Sequence, residues 1–151
     1  MTNATMKTFG YPDTLVRQYD HWAVLVRPAQ VTLGSLILVS TSDSTAFGDL
    51  PAGAHAELGV VVPAIEAALR DFISYEKINY LMLMMVDPHV HFHVLPRYEG
   101  TREWNGLAFA DTGWPGPPDL KAAQRLDPAL SAELRGEIAS RLESGMASVN
   151  R

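Results

Sequence analysis

The sequence predicts an α+β domain: an antiparallel meander of strands crossed by one long helix, with a second helix at the C-terminus. Three observations predict it. His89-Val90-His91-Phe92-His93-Val94 alternates polar and apolar residues, the period of a strand with one face in a core. Leu58, Val62, Ile65, Leu69 and Phe72 recur at spacings of 3 and 4, the period of one helical face. Only Asp87-Pro88 separates the apolar run Lys77–Val86 from the histidine run, so those two strands are expected to pair as an antiparallel hairpin.

The chain has 151 residues, of which 47% are hydrophobic and 19% charged, which fits one ordered domain with a real core. The net charge of −5 argues against a large nucleic-acid surface, which needs clustered Lys and Arg. A small anionic ligand remains compatible, since a few local donors outweigh a distant net charge. The absence of cysteine removes disulfides, thiol catalysis and zinc ribbons. Met1 to Gly10 holds no apolar run of the signal-peptide kind, and no apolar stretch reaches membrane-spanning length without polar interruption. A cytoplasmic protein without a membrane partner is expected.

In chain order, residues 1–13 read as a loose arm. Thr14–Tyr19 reads as a short strand and Trp22–Arg27 as a stronger one, rich in β-formers. Pro28-Ala29-Gln30 turns the chain. Thr32–Ser40 is the next strand, and Gly34 inside it predicts a bulge or a close backbone approach. Thr41–Gly48 is turn-like. Asp49 is the expected N-cap of the long helix. Pro63 predicts a kink in that helix, which should end near Ser74. Lys77–Val86 is apolar on both faces, so a central strand covered on both sides is expected, with Met82, Met84 and Met85 as core filler. Residues 99–126 read as a long aromatic and proline-rich loop that covers a site, packs on a partner or is disordered. Asp127-Pro128 starts the last helix, and Leu130, Leu134, Ile138 and Leu142 give it a narrow apolar stripe that packs on the body or across a dimer.

The chemistry gathers in the histidine run. His89, His91 and His93 should share one strand face, successive rings roughly 6.5–7 Å apart along the axis. Neutral imidazole is a nucleophile, and each ring can donate a hydrogen bond to a phosphate oxygen. Two other readings compete. A metal site is disfavoured because the outer pair lies about 13 Å apart, too far to share one ion. A hydrogen-bonded structural row is the other.

His89-Val90-His91-Phe92-His93-Val94-Leu95 resembles the His-φ-His-φ-His-φ-φ motif of the histidine triad family of nucleotide hydrolases and transferases, and Pro96-Arg97 matches what often follows it. The resemblance covers residues 14–98 and includes Gly34. It implies a histidine-triad-like fold for a body over 14–98; residues 99–151 are expected, from their loop and terminal helix, to pack on the same domain. It also implies a homodimer. Two departures stand out: Ser35 replaces a histidine that follows the glycine in many members, and Met84-Met85-Val86-Asp87-Pro88 replaces a phosphate-binding Gly-Gln pair.

By that resemblance His91 is the nucleophile that attacks an α-phosphorus, while His89 and His93 orient it, bind phosphate oxygens and assist proton transfer. The implied substrates are dinucleoside polyphosphates or nucleoside phosphoramidates, cleaved to a nucleoside monophosphate. Nucleotidyl transfer to phosphate, or nucleotide binding without turnover, are the alternatives. No cofactor is expected beyond magnesium travelling with the substrate. Further candidate binding residues each have a structural reading beside the functional one. Ser35 reads as structural. Asn79 supports a residue of the site or is a core amide bonded to backbone. Asp87 orients an imidazole or caps the turn. Arg97 holds phosphate or sits at the surface, and Trp22 stacks on a base or packs in the strand.

Overall fold

The computed structural model describes residues 2–149. The elements are α1 (Ala4–Thr8), β1 (Leu15–Gln18), β2 (Trp22–Val26), β3 (Ala29–Gln30), β4 (Leu36–Ser40), α2 (Ala52–Ile73), β5 (Lys77–Leu81), β6 (His91–Arg97), β7 (Thr101–Trp104), β8 (Leu107–Ala110), β9 (Gln124–Arg125) and α3 (Pro128–Val149). Five strands form one sheet in the order β1-β2-β4-β6-β5, every neighbouring pair antiparallel. Strands β3 and β9 make a small clamp, and β7 and β8 a hairpin. The antiparallel α+β sheet with a crossing helix and a terminal helix is as the sequence predicts, but it is not a simple meander: β6, not β5, lies beside β4.

The pleat gives the sheet two different faces. Trp22, Val24, Val26, Leu36, Leu38, Val90 and Val94 point to one side, where they form the main core with α2 and α3. From α2 this core takes Ala54, Val61, Ile65, Leu69 and Ile73, and from α3 Leu134 and Ile138. Ala23, Leu25, Ile37 and Val39 point to the other side, against Met6, Phe9 and Tyr11 of the N-terminal segment. That segment is therefore a packed cover rather than a loose arm. Met6 is fully buried. Asn3 caps α1 with its side-chain oxygen and gives its amide to the Ser40 and Ser42 carbonyls. A buried Met side chain contributes about 1.5–3 kcal/mol by burial alone.

Helix α2 runs through Pro63 as one element, so the proline does not divide it into separate pieces. Pro63 and Gly59, whose carbonyl the missing N–H leaves unpaired, are both exposed, so water can satisfy that oxygen. The helix stops at Ser74 as expected, in the left-handed region at φ 49°. Its start differs from expectation. Asp49 closes a single 3₁₀ turn, and Pro51 occupies the N-cap with no side-chain bond. By length and composition α2 could cross a membrane, but one of its faces packs on the sheet. Helix α3 begins where Asp127 Oδ1 accepts the Leu130 N–H at 2.8 Å, and Leu134, Ile138 and Leu142 are buried as predicted.

Two strand predictions need correction. Thr32–Ser35 is a turn rather than strand. Gly34 has φ +93°, and a Cβ there would lie 3.1 Å from Leu69, so the expected close approach is real. Strand β5 lies at the sheet edge, not the centre, and ends at Leu81. Residues 82–90 then leave the sheet, Met84 at φ 49°, with Met85 87% and Val86 90% exposed. Met85 is therefore no core filler, whereas Met82 and Met84 pack half-buried against the core.

Residues 99–126 are ordered around a hairpin that turns at Asn105-Gly106, both at positive φ. A buried ion pair ties this segment to β6. Arg97 Nε and Nη2 reach the two Asp111 oxygens at 2.7 and 3.0 Å, and Nη2 also donates to the Gly116 carbonyl. Removing one partner of such a pair leaves an uncompensated buried charge. Asp111→Ala should therefore lower the unfolding free energy by about 3–5 kcal/mol in urea titration, whereas breaking the exposed Arg102–Glu76 pair with Glu76→Ala should cost under about 1 kcal/mol.

Candidate active site

The register places the histidines. His91 stands opposite Val39 and His93 opposite Ile37, so both rings lie on the face away from α2 and α3, beneath the N-terminal cover. They are 1% and 8% exposed. Their ring centroids are 5.1 Å apart. The Phe9 ring packs on both, at 5.6 Å from His91 and 5.8 Å from His93.

Hydrogen-bond partners fix the proton positions on the two rings. His91 Nδ1 lies 2.7 Å from the His89 carbonyl oxygen, which only accepts. His91 Nδ1 therefore carries a proton, and the neutral ring has its lone pair on Nε2. His93 Nδ1 receives the Arg27 Nε–H at 3.3 Å. Arginine only donates, so His93 Nδ1 is the acceptor and the neutral ring carries its proton on Nε2. Two adjacent imidazoles thus have opposite tautomers, one with a free basic nitrogen and one with a free N–H. Burial first, then the Arg27 and His91 charges, push the His93 pKa down to about 4, so this ring is neutral at physiological pH.

Both rings border a cavity of about 340 Å³. Its wall is Phe9 from the cover, Arg27 beyond the end of β2, and Leu83, Met84, Met85, Val86 and Asp87 from the loop before β6. That volume is of the size that holds a small ligand.

Solved structures with this arrangement of elements include a histidine triad protein of Sinorhizobium meliloti, with a TM-score of 0.72 at 20% identity over 93% of this chain and 96% of that one. A histidine triad protein of Bradyrhizobium japonicum gives 0.70 at 19% identity, over 94% and 97%. A hypothetical histidine triad nucleotide-binding protein of Sulfolobus tokodaii gives 0.65 at 18% identity, over 87% and 84%. The chain has the histidine triad fold. No protein-family model and no curated protein matches the sequence.

Within this triad fold the first histidine departs from the predicted row. Strand β6 begins only at His91, and His89 precedes it. Its Nδ1 lies 3.0 Å from the Thr5 hydroxyl, which also accepts the His89 N–H at 3.3 Å. His89 therefore orients His91 through its backbone carbonyl, while its ring is held by α1. Of the other candidate residues, only Asp87 lines the cavity. Ser35 is buried and shapes the turn, its hydroxyl donating to the Thr32 carbonyl at 2.7 Å. Asn79 accepts from Arg97 Nη1 at 2.8 Å, so the pair holds the lower end of β5 and β6. Arg97 is not at the surface; its three guanidinium nitrogens are all bonded to protein. Trp22 is buried in the core and donates to the Ala54 carbonyl.

Thr5, Phe9 and Arg27 were absent from the sequence-based candidates. Arg27 carries one weak signal, a charge at the end of an apolar strand. Among the described residues no group of three His, Cys, Asp or Glu side chains is placed to hold a metal.

The depressed His93 pKa has a thermodynamic consequence. In the unfolded chain this histidine titrates near 6.5. As pH falls below that value the unfolded state binds a proton that the folded state takes up only near 4, so stability drops across this window and is fully present above it. Urea midpoints should fall as the buffer is taken from about pH 7 to about pH 5, and His93→Gln should flatten that fall. An unchanged slope in the variant would contradict the assignment.

Proposed function

We propose that the protein is a nucleotidyl hydrolase that cleaves at the α-phosphorus of its substrate through a covalent intermediate on His91. The observation that carries this reading is the pair of opposite tautomers at the cavity wall. His91 Nε2 has a free lone pair, and His93 Nε2–H is a donor for a phosphate oxygen about one ring spacing away.

In the first step a bond forms between His91 Nε2 and phosphorus while the bond from phosphorus to the leaving atom breaks. The leaving group departs with that electron pair and takes a proton from solvent. The His91 ring gains positive charge, which the His89 carbonyl stabilises through the Nδ1–H bond. His93 donates to a non-bridging oxygen and, being neutral, adds no like charge beside His91. In the second step water adds to phosphorus and loses a proton to solvent. The Nε2–phosphorus bond breaks and the nucleoside monophosphate leaves.

The cavity wall favours one of the two implied substrate classes. Four of its residues are apolar Leu, Met and Val, and Arg27 is its one cation. A polyphosphate chain carries several charges and needs several donors, so a single phosphate joined to an uncharged leaving group, as in a nucleoside phosphoramidate, fits better. Magnesium arriving with a polyphosphate is correspondingly less needed. Phosphate-dependent products would instead identify a transferase that uses the same intermediate.

Product chromatography tests the reading. Wild type should release AMP from an adenosine phosphoramidate faster than from diadenosine polyphosphates, and His91→Asn should lower that rate by on the order of 10⁴-fold or more. Wild-type turnover in the variant would contradict it. A second reading, nucleotide binding without turnover, has support in the 1% exposure of His91 beneath Phe9. It predicts AMP binding with no product from any substrate. The family resemblance also extends the proposal to a homodimer, for which sedimentation should give about twice the 16.6 kDa chain mass.

A further inference from the structure

Arg27 follows Val26 at the end of β2. Leu25 pairs with Ile37 and Ile37 with His93, so two residues on Arg27 lies on the histidine face. Its guanidinium makes two protein hydrogen bonds: Nε donates to His93 Nδ1 at 3.3 Å, and Nη1 donates to the Ala29 carbonyl. Nη2 makes none among the described residues. No carboxylate pairs with Arg27 there either, although Arg97 and Arg102 each have one and Arg141 has two. Burial, and after it the positive charge of Arg125, disfavour the charged form of Arg27.

A half-buried guanidinium without a counter-ion is unfavourable unless something supplies the missing charge. This one lines the cavity that holds the nucleophile. Asp87, in the same wall, makes no ion pair with it. The loop where the family resemblance implies phosphate donors is instead apolar, Leu83 to Val86. A free N–H in the cavity that His91 and His93 line, on a cation lacking an anion, is the kind of donor that a phosphoryl oxygen takes.

We propose that Arg27 has two roles in the reaction: its Nε–H holds His93 in the Nε2–H tautomer, and its Nη2 binds a non-bridging oxygen of the phosphoryl group that His91 attacks. The inference rests on the hydrolase reading for the reaction but not for the binding of phosphate. It makes Arg27 both a positioning residue for His93 and the replacement for the absent Gly-Gln contact. Lysine cannot substitute, because a point charge lacks the planar fork that spans ring nitrogen and phosphate together.

The test combines three measurements on full-length wild type, Arg27→Lys and Arg27→Gln. Long-range proton–nitrogen spectra of histidine-labelled protein report the tautomer of His93 and need no substrate. Wild type should show the Nε2–H form, and both variants should lose the bias. Calorimetric titration with AMP should show affinity reduced roughly tenfold or more in Arg27→Gln and partly recovered in Arg27→Lys. Turnover of an adenosine phosphoramidate should fall on the order of 10²-fold in kcat/KM in both. Wild-type His93 protonated on Nδ1 would overturn the positioning role, even if the variants fail to fold. Unchanged AMP affinity in a folded Arg27→Gln would overturn the phosphate contact. If wild type binds AMP with the expected tautomer and variant effects but turns nothing over, Arg27 keeps both roles in binding and the hydrolase reading fails.

Discussion

The antiparallel register between β4 and β6 decides which face of the sheet carries the imidazoles of His91 and His93. With Val39 opposite His91 and Ile37 opposite His93, the apolar alternates Val90 and Val94 fall into the α2–α3 core and the imidazoles fall on the opposite face. A slip of one residue would exchange the two sets, burying two imidazoles among leucines and exposing valines. The core burial that stabilises the sheet is therefore the same constraint that aligns the site. Residues that anchor the register, among them Trp22 on Ala54 and Gly34 against Leu69, act on the site without touching it.

On the histidine face, two single hydrogen bonds give adjacent rings different chemical characters. A carbonyl oxygen faces one Nδ1 and a guanidinium N–H faces the other. Neither partner can reverse its role, so the tautomers are fixed by the identity of the partner rather than by small energy differences. Burial then keeps His93 neutral. The N-terminal cover completes this environment. Thr5 holds the His89 ring, and Phe9 shields His91 and His93 from water, which strengthens both hydrogen bonds.

Much of this was legible in the sequence, because periodicity reports burial. The alternation from Val90 to Val94 gave the strand and its two faces, and the four-residue spacing from Leu130 to Leu142 gave the last helix. Apolarity misled where its purpose was a wall rather than a core. Met84 to Val86 extended β5 on paper, yet they form the rim of a cavity. The Asn105-Gly106 turn was a readable hairpin signal, hidden by the surrounding prolines and aromatics. Contacts across long separations carry no local trace. Arg27 and His93 are 66 positions apart, and Thr5 and His89 are 84 apart, so only the fold brings them together. The same holds for His89, whose place in the motif implied a ring in the row but whose backbone does the orienting.

In the proposed reaction His91 Nε2 becomes covalently bonded to phosphorus. Rapid acid-free quenching of wild type with an adenosine phosphoramidate, followed by peptide mass spectrometry, tests it most directly. A nucleoside-monophosphate adduct is expected on His91, acid-labile and absent from His93. Steady turnover with no adduct on any histidine, or an adduct on His93 alone, would contradict it.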